Sequence, residues 1–104
     1  MNDYRIAQVF DKLVELHLCR SRTSFSRDWL GREASYYRSV NARRGTISFG
    51  AHAHLVQSLR NIGSAFSMTG VPQTESRGRT LLDLSDVCLS TLLERAAINA
   101  YVAE

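Results

Sequence analysis

Apolar residues in the first twenty positions recur at steps of three and four, which is the spacing of one face of an amphipathic α-helix. The residues that carry this pattern are Ile6, Val9, Phe10, Leu13, Leu16 and Leu18. The spacing predicts a first helix over about residues 3–20. Asn2 or Asp3 can cap this helix, because the side-chain oxygen of either residue can accept a backbone N–H of the first turn.

Two short helices are predicted in the next stretch of the chain. Polar residues interrupt the apolar pattern, and Thr23 or Ser24 can cap a second helix near residues 25–30. Gly31 ends that helix, since glycine adopts a positive φ angle at little energetic cost. A third helix is expected over about residues 34–42, followed by an Arg-Arg-Gly-Thr-Ile loop.

Two longer apolar stretches predict a fourth and a fifth helix. Ser48 is a candidate cap for the fourth helix, over about residues 49–66. Residues 67–79 contain two glycines, one proline and many small polar residues, a composition typical of a loop. Thr80–Asp83 resembles a capping box, and the apolar residues after it predict a fifth helix that continues to about Val102.

These elements predict an all-α, compact, five-helix single domain over residues 1–104, because no period-two alternation indicates a strand. Within it we expect a core at residues 1–66, a loop at 67–79 and an apolar C-terminal packing and dimerisation helix at 80–104. No apolar run is long enough to span a bilayer, and the N-terminus lacks the pattern of a signal peptide. We therefore expect a cytoplasmic protein that does not contact a membrane.

Positive charge is concentrated in the middle of the chain. Between Arg20 and Arg60 there are eight arginines and two acidic residues, Asp28 and Glu33, which gives this segment a charge of +6 against +3 for the whole chain. Genome composition can explain the preference for Arg over Lys, but it does not explain the clustering. A basic segment between acidic flanks favours a polyanionic partner.

The same central segment carries a spaced set of small, aromatic and apolar residues. These residues are Leu30-Gly31, Ser35-Tyr36-Tyr37, Val40, Ser48, Leu55 and Leu59. Over about residues 23–60 this set resembles the Cro/phage-repressor (lambda-repressor-like) type of helix-turn-helix, in which a helix ends at Leu-Gly and a recognition helix follows. The resemblance implies a helix-turn-helix core in which Tyr37 and Val40 anchor the recognition helix on the leucines of the next helix.

The segment departs from the family pattern at the turn before the recognition helix. Phe25 lies six residues before Gly31, whereas the family's first-helix anchor lies five before the glycine. This spacing implies one inserted residue or a shifted second helix. Arg32 and Glu33 occupy a turn that carries a small apolar residue and a capping Ser or Thr in the family. We therefore expect an altered turn.

The resemblance also implies a function, namely sequence-specific binding of double-stranded DNA by a transcriptional regulator. In this family the first turn of the recognition helix meets base edges in the major groove. The candidate base contacts are Ser35, Tyr36, Arg38 and Ser39. The candidate phosphate contacts are Ser24, Arg27, Arg32, Arg43 and Arg44.

The fifth helix has more apolar residues than a single core-facing stripe requires. Four of them need cover beyond the domain's own core, and they form a candidate homodimer interface: Leu82, Leu89, Leu93 and Tyr101. The alternative is that the first and fourth helices enclose the fifth helix and bury both of its sides.

A second function remains open at this point. The helix-turn-helix fold could serve as a protein-interaction module, such as an antiactivator or adaptor, that does not bind DNA. The placement of four arginines discriminates the two functions: Arg32, Arg38, Arg43 and Arg44. One exposed face formed by all four favours DNA, whereas salt bridges to Asp11, Glu15 or Asp28 favour a protein partner.

The residues that could carry catalysis or bind a metal are sparse. His52 and His54 are two residues apart on a predicted helix, so their side chains point in different directions. His17 and Cys19 supply too few ligands for a zinc site. We therefore expect no enzyme activity, no cofactor and no metal. Cys19 and Cys88 are expected to be reduced and buried.

Overall fold

The computed structural model of the chain describes residues 4–103, with the side chains of residues 5–98. Over that range the fold is all-helical, with five helices and no strand, as predicted. The helices are α1 (Tyr4–Glu15), α2 (Arg22–Ser24, continuing as the π-helical segment Phe25–Trp29), α3 (Tyr36–Ala42), α4 (Phe49–Ser67) and α5 (Pro72–Ala103). Within the described residues, no helix combines the length and apolar character needed to cross a membrane.

Helix α1 is shorter than predicted. His17 has a φ angle of 62°, in the left-handed region, and this residue turns the chain away from the helix axis. The N–H of Leu18 donates to the carbonyl of Leu13 at 2.9 Å and satisfies one of the carbonyls that the helix end leaves open. The predicted caps, Asn2 and Asp3, lie outside the described residues.

Helix α2 begins and continues differently from the prediction. The cap is Ser21 rather than Thr23 or Ser24, and its Oγ accepts the N–H of Ser24 at 3.2 Å. The helix then widens into a π turn, in which the N–H of Leu30 donates to the carbonyl of Phe25, five residues earlier, at 3.0 Å. A π turn accommodates one more residue than an α turn. The π turn lies between Phe25 and Gly31, in the stretch where the spacing implied one inserted residue or a shifted second helix.

Gly31 ends α2 as predicted, with a φ angle of +63°. A second constraint acts at this position, because a Cβ atom here would lie 2.6 Å from Cδ2 of His54 on α4. The α2–α3 turn therefore requires glycine for its backbone conformation, and the imidazole of His54 occupies the space that a side chain would need.

The predicted loop at residues 67–79 is wrong. Helix α5 already begins at Pro72, so the connection between α4 and α5 is only residues 68–71. Proline is compatible with the first turn of a helix, where its missing N–H has no partner to lose. The predicted capping box does not form, because Oγ1 of Thr80 donates to the carbonyl of Ser76 within the helix at 3.2 Å.

Helices α4 and α5 form an antiparallel hairpin whose backbones touch at two buried glycines, Gly63 and Gly78. A Cβ atom on Gly78 would lie 2.8 Å from both the carbonyl oxygen of Gly63 and the backbone nitrogen of Ser67. Both contacts are with backbone atoms, which cannot move aside without separating the helices.

The hydrophobic core lies at the end of this hairpin where α1, α2 and α3 pack on it. An aromatic cluster joins the three short helices, with ring centroids 5.2 Å apart for Phe10–Phe25 and 4.8 Å apart for Phe25–Tyr37. Toward the α4–α5 turn, the fully buried apolar side chains stop at Leu59 and Leu81. Residues 60–80 form the turn end of the hairpin, here called the arm, in which Ile62 and Phe66 are half-buried against the core.

Candidate functional site

Helix α3 presents a polar face to solvent. Ser35, Arg38 and Ser39 are exposed, while Tyr37 and Val40 are buried against the core, as the sequence predicts. The buried pair anchors the helix, and the exposed residues lie on the side that a ligand could approach. Arg38 is the only charged residue within α3.

Tyr36 is half-buried and differs in role from its exposed neighbours. Its hydroxyl oxygen accepts the N–H of Ser48 at 2.7 Å, so it ties the beginning of α3 to the beginning of α4. Ser48 in turn caps α4 as predicted, with its Oγ accepting the N–H of Ala51 at 3.1 Å. One lone pair of the Tyr36 hydroxyl is therefore already used within the protein.

Arg32 lies beside the same junction. Its guanidinium contacts Oγ of Ser48 at 3.5 Å and lies over Gly50, where a Cβ atom would come within 2.6 Å of Nη2. The missing side chain of Gly50 leaves room for the guanidinium at the start of α4. Arg32 and Tyr36 are thus brought together at Ser48, a grouping that sequence spacing alone does not indicate.

The remaining candidate phosphate contacts lie on either side of α3. Arg43 and Arg44 follow α3 and are exposed, and Arg44 has a φ angle of 51°. Arg27 is exposed on the π-helical segment of α2. Ser24 is half-buried and lies 3.5 Å from the Ser21 hydroxyl, which donates to it.

The arginines near α3 take no part in the ion pairs among the described residues. The ion pairs among the described side chains are Arg5–Glu94, Lys12–Glu15 and Arg60–Asp86. None of these pairs includes Arg32, Arg38, Arg43 or Arg44, and all four are exposed. The positive charge near α3 is therefore not neutralised by neighbouring carboxylates in the part of the chain that the structure describes.

A buried serine that sequence reasoning missed joins α2 to α3. Ser26 is 0% exposed, and its Oγ accepts the backbone N–H of Tyr37 at 2.9 Å. The same hydroxyl donates to the carbonyl of Arg22 at 2.9 Å. The sequence gives no signal for it, because Ser35 stands at the N-cap position of α3 and only the structure shows that its side chain makes no capping hydrogen bond.

A second missed contact holds α5 against the beginning of α4. Arg95 donates to Nδ1 of His52 at 3.0 Å and to the carbonyl of Ile47 at 2.9 Å. Because a guanidinium has no acceptor, Nδ1 of His52 is unprotonated and Nε2–H donates to the carbonyl of Cys88 at 2.9 Å. His52 is buried and His54 exposed, so the two side chains point apart as predicted.

The predicted dimer residues on α5 do not share one environment. Leu82 and Leu89 are half-buried against the rest of the domain, which corrects the expectation that both need cover from outside. Leu93 is 60% exposed, and Val87 and Ile98 are exposed to a similar extent. The side chain of Tyr101 lies outside the described residues. Leu82 lies beside Gly63 at the close α4–α5 contact, whereas Leu89 packs against the hydrophobic core.

Comparison with known proteins assigns the chain to a family. No curated protein and no solved structure matches the chain. A family model matches residues 6–101, which spans all five helices. The protein belongs to DUF6626, a family of unknown function.

Proposed function

We propose that the protein is a sequence-specific DNA-binding transcriptional regulator that uses α3 as the recognition helix of a Cro/phage-repressor-like helix-turn-helix. The observation that carries the proposal is the set of exposed arginines around α3, none of which takes part in an ion pair among the described residues. A groove of DNA supplies the phosphates and base edges that such a surface can bind.

The proposed base contacts come from the polar face of α3. Arg38 is long enough to donate two parallel hydrogen bonds to O6 and N7 of guanine in the major groove. Ser35 and Ser39 can donate to or accept from neighbouring base edges. Tyr36 remains a candidate through its ring edge, while its hydroxyl holds Ser48.

The proposed phosphate contacts flank α3 in the chain. Arg32 lies before the helix, and Arg43 and Arg44 lie directly after it. Arg27 and Ser24 on α2 extend this surface to the preceding helix. Contacts of this kind set the position of the protein on the duplex without reading its sequence.

The test of this proposal is the salt dependence of DNA binding. A preferred site is first selected from random duplexes, and the affinity of the protein for it is then measured by gel shift between about 50 and 200 mM salt. For a protein that makes six to ten phosphate contacts, raising the salt over this range weakens binding by about 10³–10⁵. We expect Arg43→Ala/Arg44→Ala to weaken binding to all sequences and to reduce the salt slope by about two.

A matched control is available on the arm. Arg77 and Arg79 are also exposed arginines, but they lie on α5 at the turn end of the hairpin. Arg77→Ala/Arg79→Ala should leave the salt slope unchanged. Arg38→Ala should instead lose about 1–3 kcal/mol on the preferred site and little on random DNA. Binding that does not change with salt would contradict the proposal.

We further propose that the protein binds DNA as a homodimer, since a single unit of this size covers little DNA surface. Leu93 is the predicted interface residue that stands exposed. Light scattering at high micromolar concentration should therefore give the mass of a dimer for the wild type and of a monomer for Leu93→Glu. Met68→Glu, at an exposed apolar position in the α4–α5 turn, is the control and should remain dimeric. A monomeric wild type would contradict this part of the proposal.

A protein-interaction module is the second candidate function. The observation in its favour is the pair of apolar residues at the tip of the arm, where Met68 is 85% exposed and Val71 is 49% exposed. Apolar side chains at a surface turn are suited to contact with another protein. Failure of the wild type to bind any selected duplex at low salt would favour this candidate over DNA binding.

A further inference from the structure

We infer that Ser26 is a positioning residue. It sets the orientation of α3 relative to α2, and thereby the direction in which the proposed DNA-binding surface faces. This inference rests on the proposed function for its consequence on DNA binding. The positioning itself depends only on contacts within the chain.

Ser26 contacts three separate segments at once. Its Oγ donates to the carbonyl of Arg22 in α2 and accepts the N–H of Tyr37 in α3, both at 2.9 Å. Its own carbonyl accepts the N–H of Arg32, in the turn between the two helices, at 2.8 Å. A single residue therefore fastens α2, the turn and α3 to each other.

The geometry of the hydroxyl leaves it little freedom. A serine hydroxyl has one proton, and here that proton is committed to the carbonyl of Arg22. This bond fixes the rotation of the hydroxyl, so that a lone pair of Oγ points toward α3 and accepts the N–H of Tyr37. Because Ser26 is 0% exposed, water cannot replace either bond.

Helix α3 has no comparable cap of its own. Ser35 is its N-cap residue, but the Ser35 side chain makes no capping hydrogen bond. The first turn of α3 therefore obtains its cap from the neighbouring helix. A cap within one chain segment stabilises only the helix that it begins, whereas a cap from another helix also constrains the angle between the two helices.

The hydrogen bond from α3 to Ser26 lies next to an aromatic contact between the same two helices. Ser26 is the second residue of the π-helical segment Phe25–Trp29. The aromatic rings on either side of the bond, Phe25 and Tyr37, are packed edge to face at 4.8 Å. The α2–α3 junction thus combines an apolar contact with a buried hydrogen bond, and the hydrogen bond is directional.

The experiment compares Ser26→Ala with Ser85→Ala. Ser85 is a suitable control because it is 1% exposed and its Oγ donates only within α5, to the carbonyl of Leu82 at 2.7 Å. Hydrogen exchange measured by NMR should show the Tyr37 amide exchanging about tenfold faster in Ser26→Ala, relative to the core amide of Leu59. The same ratio should not change in Ser85→Ala.

DNA binding supplies the second readout. At a temperature where both variants are folded, we expect Ser26→Ala to reduce the ratio of affinities for preferred and random DNA by about tenfold, because a misaligned α3 loses base contacts before phosphate contacts. Ser85→Ala should keep the wild-type ratio. If Ser26→Ala does not fold, Ser26→Cys retains the shape with a weaker acceptor and should give a smaller change in the same direction.

The two proposals fail in different ways. An unchanged exchange ratio for Tyr37 in Ser26→Ala, or in Ser26→Cys if the first variant is unfolded, would overturn the positioning role. An unchanged DNA preference with a faster Tyr37 amide would overturn its consequence for recognition. A wild type that binds no DNA would reject the proposed function, while the exchange measurement would still decide the role of Ser26.

Discussion

Above pH 9, the free energy of unfolding should fall by about 1.4 kcal/mol for each pH unit because of Cys88 alone. Burial raises the pKa of the Cys88 thiol from 9.0 to about 12, since the thiolate would be formed away from water. Between these two values the unfolded chain releases the proton and the folded chain keeps it. The stabilisation is fully present below pH 9 and is lost as the pH rises toward 12, with a total of about 4 kcal/mol.

Urea denaturation at pH 8, 9, 10 and about 10.5 would measure this slope, and Cys88→Ala provides the comparison. The informative quantity is the difference between the slopes of the two proteins, because every other group is common to both. The variant should be less stable at pH 8 but should lose stability less steeply above pH 9. Burial also raises the pKa of Cys19, which both proteins retain. Parallel slopes would show that Cys88 ionises as easily in the folded protein as in water.

The second large effect is expected for Gly78→Ala. A Cβ atom at this position would lie 2.8 Å from two backbone atoms of α4, so the helices of the hairpin must separate to accept it. Overpacking of this kind lowers the free energy of unfolding by about 1–3 kcal/mol. Replacing a helical glycine with alanine raises it by about 1 kcal/mol, so the loss exceeds the gain only if the contact is rigid. We expect a net loss, observed as a fall of several degrees in the thermal midpoint measured by circular dichroism.

Gly50→Ala is the matched control for this prediction. Gly50 is also a helical glycine, but a Cβ atom there meets only the far end of the flexible Arg32 side chain. The arginine can move, so the helix should gain stability or remain unchanged. Should Gly78→Ala prove as stable as Gly50→Ala, the two backbones would have to lie further apart than the structure places them.

The contact between α4 and α5 at Gly78 explains why the prediction of a loop from the sequence failed. Proline, glycine and small polar residues predicted a loop over 67–79, yet each of these features has a helical use here. Pro72 lies at the beginning of α5, and Gly78 permits contact with Gly63. Composition identifies residues that disfavour a helix in isolation, but it does not reveal a neighbouring helix that requires their small size.

The α2–α3 region was predicted more closely because its signals are local. Gly31 ends α2 with a positive φ angle, Ser48 caps α4, and Tyr37 and Val40 face the core, all as the sequence indicates. The spacing of Phe25 implied one inserted residue or a shifted second helix, and α2 has a π turn in this stretch. Ser26 was not identifiable in advance, because its partner on α3 lies eleven residues away and is a backbone group common to every residue.

Trp29 makes the α2–α3 junction observable by intrinsic tryptophan fluorescence. It is the only tryptophan in the sequence, it is 3% exposed, and its carbonyl oxygen accepts from Nδ1 of His54. An indole held among apolar side chains emits fluorescence at shorter wavelength than an indole in water. All intrinsic tryptophan emission of the protein therefore originates at the last residue of the π turn. Any event that loosens α2 from the core shifts that emission to the red, so the motion of one helix can be followed without an attached dye.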